Sequence, residues 1–95
     1  MSSFFQIVPY NGMPIDDCAC RARNAISRLG WNSREVPGAI YVAVPMSMLS
    51  WGEDFAIYFL ADGFKVESKS SIPLTLIDWG KNKKNVNLFL SAFYS

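Results

Sequence analysis

The hydrophobic positions of this chain switch period twice, from a helical spacing to an alternating one and back again. Phe4 to Pro9 is apolar and β-prone, which predicts a first strand that Pro9 ends or confines to an edge. Tyr10, Asn11 and Gly12 turn the chain. Ile15, Cys18, Ala22, Ala25, Ile26 and Leu29 then recur in steps of three and four, the apolar stripe of a helix whose first turn holds Pro14. Asp16 and Asp17 suit the positive end of that helix and Arg28 its negative end. Gly30 is the expected left-handed cap, with Trp31 folding back on Ile26.

From Trp31 to Ser71 the period falls to two. Asn32 to Val36 predicts a short strand, Pro37-Gly38 a turn, and Ala39 to Pro45 a strand with Ile40, Val42 and Val44 on one face and Tyr41 and Ala43 on the other. Met46 to Gly52 is a connection. Glu53 to Ala61 and Phe64 to Ser70 form a hairpin about Asp62-Gly63. Centred there, the hairpin pairs Ala61 with Phe64, Phe59 with Val66, Ile57 with Ser68 and Phe55 with Ser70. Phe55, Ile57, Phe59, Phe64 and Val66 then share a covered face. Ala56, Tyr58, Leu60, Lys65, Glu67 and Lys69 share the wet one, with Tyr58 opposite Glu67 and Leu60 opposite Lys65. Pro73 bars a central strand from Ser71 to Asp78, which reads as a connection carrying Leu74, Leu76 and Ile77 inward. Val86, Phe89, Leu90 and Phe93 form the inward stripe of a last helix. The fold class is therefore α+β. It has two layers, one antiparallel sheet with two helices on one face, in the order β-α-β-β-β-β-α. That order resembles a half-repeat of the TATA-binding protein fold.

Composition narrows this picture. The 95 residues suit one domain, 1–95, and 51% apolar with 15% aromatic residues is enough for a real core. A net charge of +1 provides no global field for nucleic acid. No apolar run approaches the roughly 18 residues of a transmembrane segment. The N-terminus lacks the basic lead and the cleavage site of a signal peptide, so a cytoplasmic location is expected. Cys18 and Cys20 fall two apart on a helix and diverge, which argues against an intrachain disulfide. Without histidine they complete a four-ligand zinc site only if carboxylates or another chain contribute. No metal and no cofactor is implied.

The absence of histidine also removes the commonest general base and the usual protease triads, so no catalytic residue is assigned. A carboxylate hydrolase is the remote alternative and needs Glu53, Asp54 and Asp78 to converge. Two Trp-Gly phrases stand out: Trp51-Gly52-Glu53 after Ser50, and Asp78-Trp79-Gly80 before Lys81. In one reading they are structural. The tryptophans cap the core, Glu53 or Asp54 answers Lys81 or Lys84, and Asp78 caps the last helix. In the other, Lys81, Asn82, Lys83, Lys84 and Asn85 use the helix N-terminus to bind an anion such as a phosphate ligand or an anionic lipid. A separate candidate is the wet sheet face, where Tyr41, Tyr58, Leu60, Lys65 and Lys69 suit a protein partner or a second copy better than RNA. A non-catalytic interaction module is the function expected.

Ser50-Trp51-Gly52-Glu53, Ser68-Lys69-Ser70 with Pro73, and Asp78 through Asn85 together resemble the pattern of a family of small bacterial domains without an assigned activity. The resemblance runs from about Ala25 to Phe93, and its second Trp-Gly phrase is its most specific part. Members occur alone or attached to membrane-protein segments. The resemblance therefore implies no activity, and at most a soluble accessory or sensing role.

Overall fold

A computed structural model describes residues 3–45, 52–70 and 80–95. Its elements are β1 (Ser3–Pro9), α1 (Ile15–Leu29), β2 (Asn32–Val36), β3 (Ala39–Val44), β4 (Glu53–Phe59), β5 (Gly63–Ser70) and α2 (Lys81–Tyr94). The strands make one antiparallel sheet in the order β1-β5-β4-β3-β2, so the first strand crosses to pair with the last. This is the expected α+β order. The connections over 46–51 and 71–79, with Trp51, Asp78 and Trp79, lie outside the described residues.

Local chemistry explains the first helix. Asn11 and Gly12 both take positive φ (53° and 84°), and the Met13 N–H closes the turn on the Tyr10 carbonyl at 3.0 Å. Pro14 is extended (φ −60°, ψ 147°) and stands just before the helix, as its cap residue rather than in its first turn. Cys18, Ala22, Ala25 and Ile26 are buried, whereas Ile15 at the start of the expected stripe is exposed. At the other end Gly30 is left-handed, and its N–H and that of Trp31 reach the Ser27 and Ile26 carbonyls. The Trp31 ring stands against Phe55, at 5.3 Å between centroids.

Both helices cover the same face of the sheet. The small side chains Cys18, Ala22 and Ala25 line the buried stripe of α1, while α2 buries Val86, Phe89, Leu90 and Phe93 and packs on α1, β5 and β1. Rings run through this core in an unbroken series: Trp31, Phe55, Phe89, Phe93, Phe64 and Tyr10, with neighbouring centroids 5.1 to 6.1 Å apart. Offset and tilted pairs of this kind add to burial, by about 1 kcal/mol each.

The hairpin differs from expectation by two residues. Phe59 pairs with Phe64, Ile57 with Val66 and Phe55 with Ser68. Ala61 and Asp62 are the turn centre, and the Leu60 N–H donates to the Gly63 carbonyl at 2.9 Å. A slip of two preserves both faces, so the covered and wet sets stand. Cross-strand neighbours change: Tyr58 meets Lys65, Ala56 meets Glu67, and Leu60 faces Gly63. The reason lies in what Gly63 is for. It is not a left-handed turn residue; a Cβ there would come within 2.5 Å of the Val8 carbonyl oxygen, so the glycine lets β1 lie against β5. Gly63→Ala should therefore lower stability by about 2 kcal/mol in urea denaturation, since backbone rather than a movable side chain has to give way.

Candidate functional site

The expected anion site divides along the helix. Asn82 and Asn85 lie on the same side of α2 as Val86, Phe89 and Phe93 and are 0% and 1% exposed, whereas Lys83 and Lys84 face outward and Lys81 is half-buried. The five residues thus do not form one surface. The spacing explains it, because positions 82, 85, 86, 89 and 93 continue one helical stripe.

What the asparagines meet is polar. The Asn85 amide donates to the Glu53 carboxylate at 2.8 Å and to the Ser68 hydroxyl at 3.2 Å. The Ser68 hydroxyl donates to the Asn82 side-chain carbonyl at 2.8 Å, and the Asn82 amide reaches the Ser70 hydroxyl at 3.4 Å. Glu53 is only 3% exposed and Ser68 is fully buried. Among the described residues no buried side-chain nitrogen or oxygen lacks a partner. A connected, satisfied network of this sort fixes how α2 sits on the ends of β4 and β5, because any other seating strands polar groups in the core.

Of the two Trp-Gly phrases, the glycines Gly52 and Gly80 fall within the described residues, beside Glu53 and at the start of α2. Gly52 and Gly80 both adopt left-handed φ, 97° and 73°, the first leading into β4 and the second in the cap position of α2. The cap position of α2 is held by Gly80, which has no side chain to offer, and no acidic residue lies in the first turn. Asp78, the cap expected from the sequence, lies outside the described residues. Among the described residues no ion pair joins Glu53 or Asp54 to Lys81, Lys83 or Lys84; Glu53 accepts from Asn85 instead. Glu53 and Asp54 are also adjacent in β4, so they occupy opposite faces, one buried under α2 and the other exposed. They do not converge. The far end of α2 receives its cation from α1: Arg28 donates to the Ala92 carbonyl and, at 3.0 Å, to the Ser95 hydroxyl.

The second candidate lies on the opposite face of the sheet, which no described helix covers. Registers place Phe5, Glu67, Ala56, Tyr41 and Arg34 in one row across the strands, and Ile7, Lys65, Tyr58, Ala39 and Val36 in the next. Tyr41 and Tyr58 meet edge to face at 6.1 Å. Lys65 sits 4.9 Å over the Phe5 ring and 5.9 Å over that of Tyr58, and 3.9 Å from the Glu67 carboxylate. Arg34 lies 5.5 Å over Tyr41. Burial, then the nearby Tyr41 and Glu67, raises the Tyr58 hydroxyl above its ordinary pKa, so it stays a neutral donor. Of the residues expected here, Tyr41, Tyr58 and Lys65 form this cluster. Lys69 lies one row further along, beside Asp54, and Leu60 is exposed beyond the strand end. Phe5, Ile7 and Arg34 belong to the face and were not foreseen. The signal was available, since residues alternate along β1 and β2 as they do along β3.

Comparison with protein-family models, curated proteins and solved structures gives no significant match to this chain. Among the described residues, no helix is long and apolar enough to cross a membrane.

Proposed function

We propose that this protein is a non-catalytic interaction module that binds a protein partner through the open face of its sheet. The observation that carries the reading is the aromatic band of Phe5, Tyr41 and Tyr58, with Arg34 and Lys65 seated on its rings. Aromatic and arginine side chains of this kind supply most of the anchoring energy in protein interfaces. Arg34, Lys65 and Lys69 against Glu67 and Asp54 leave a slight positive excess, which suits a partner with a mildly acidic rim and is too small for a nucleic-acid platform.

Affinity capture tests it with three baits: the unaltered chain, Tyr58→Glu, and Lys84→Glu on the far side. A specific protein should be retained by the first and third and reduced at least tenfold with Tyr58→Glu, a difference of about 1.4 kcal/mol. Identical capture by all three baits overturns the reading.

Anion binding at the start of α2 is the lesser reading. Lys83, Lys84, Asn87 and Ser91 beside a shallow depression support it, whereas Asn82 and Asn85 serve the interior. The module would belong in the cytoplasm, where two unbonded cysteines are ordinary. Cys18 is inert there, its thiol pushed up to about 11 by burial, which outweighs the lowering effect of Arg21.

A further inference from the structure

The two edges of the sheet are not alike. At one edge, β2 is short, with Asn32, Ser33, Arg34 and Glu35 all exposed, and Glu35 is engaged by Arg23 of α1 at 2.8 Å. Charge and brevity are the usual protections of a free edge. At the other edge β1 reads Ser3-Phe4-Phe5-Gln6-Ile7-Val8-Pro9, without a charged side chain. Phe5 and Ile7 are 55% and 58% exposed. Such an edge is a template for another strand.

Hydrogen-bond alternation identifies which backbone groups it offers. The bond from the Leu60 N–H to the Gly63 carbonyl makes Gly63, Lys65, Glu67 and Lys69 the residues of β5 that bond to β4. The bond from the Phe59 N–H to the Gly38 carbonyl gives the same phase across β3 and β4. Phe64, Val66 and Ser68 therefore turn to β1, where they meet Val8, Gln6 and Phe4. Phe5 and Ile7 consequently direct their N–H and carbonyl groups away from the sheet. Pro9, which has no N–H to offer, falls in the same outward phase.

Among the described residues no strand lies beyond β1, and we propose that this edge pairs antiparallel with β1 of a second copy of this chain, about a two-fold axis at Gln6. That register sets Phe5 against Ile7 of the other copy, Phe4 against Val8 and Ser3 against Pro9, so the whole strand is used. With no charge on the strand, no like charges meet across the axis, which favours a second copy over a partner selected by charge. Phe5 and Ile7 of both copies form one apolar cluster on the open face. The protected β2 edges leave nothing to extend the assembly, so it closes as a dimer with a continuous ten-strand sheet. The pairing concerns the edge and does not depend on what binds the face. The contact is small, and a dissociation constant on the order of micromolar is expected.

Sedimentation velocity of the full chain across a thousandfold concentration range, with hydrogen exchange of the same samples, tests this. Dimer should form as concentration rises, and the amides of Phe5 and Ile7 should gain at least tenfold protection with it, while Gln6 is protected throughout. Ile7→Pro removes only an outward N–H and should yield a folded monomer. Phe5→Lys should weaken the dimer at least tenfold without touching the backbone, which covers the case where the proline variant fails to fold. Tyr58→Glu should leave the dimer intact. A chain that stays monomeric, or a dimer whose Phe5 and Ile7 amides exchange freely, overturns the proposal.

Discussion

Phe89→Ala should cost about 4 kcal/mol, the largest loss expected from any single truncation described here. The ring is fully buried in mid-helix and lies 5.5 Å from Phe55 and 5.8 Å from Phe93. It is the link between the rings of β4 and those at the end of α2. Truncation removes the transfer energy of the ring and leaves a cavity between two other rings, which a sheet on one side and α1 on the other cannot easily collapse to fill. A domain of this size has roughly 5–14 kcal/mol in all. Urea denaturation should show a much lower midpoint with little change in slope. A loss below about 2 kcal/mol would mean that α2 is less firmly seated than the ring series implies. Truncating exposed Leu88 on the same helix should change stability by no more than about 0.5 kcal/mol and serves as the control.

Asn85→Leu should cost about 3 kcal/mol although leucine has almost the same size and suits a helix better. The reason is what remains behind. The amide donates to both Glu53 and Ser68, and the variant leaves a carboxylate at 3% exposure with one donor fewer. Burying an apolar side chain in its place returns some of the loss, while the under-solvated carboxylate keeps most of it. Asn87→Leu, on the exposed side, should be close to neutral. If Asn85→Leu proved neutral as well, the network would be incidental to the seating of α2. The same denaturation experiment separates the two outcomes.

Much of the fold was legible because periodicity is set by backbone geometry. The stripe of α2, the faces of β3 and the partition of β4 and β5 follow directly from steps of three and four or of two. Turn position is less legible, because a glycine has more than one use. Asp62-Gly63 has the composition of a hairpin centre, yet Gly63 is needed where β1 passes close by, a requirement that arises only once distant strands are paired. The polar network could have been found by the same counting that gave the core. Glu53 shares its face with Phe55 and Ile57, Ser68 and Ser70 share theirs with Val66, and Asn82 and Asn85 extend the stripe of Phe89 and Phe93. Residue polarity concealed it. Lysines between the asparagines made 81–85 look like one basic surface, when Asn82 and Asn85, three apart, share the inner side of the helix and Lys83 and Lys84 the outer.

The crossover of β1 to the far side of β5 has a consequence for how the chain is made. On a nascent chain β1 emerges well before its partner: Phe4 finds its neighbour only when Ser68 appears, and the roof over both, α2, follows later still. Nothing near in sequence shelters that uncharged strand meanwhile. Closure of this sheet is thus a long-range event that waits for β5 and then α2.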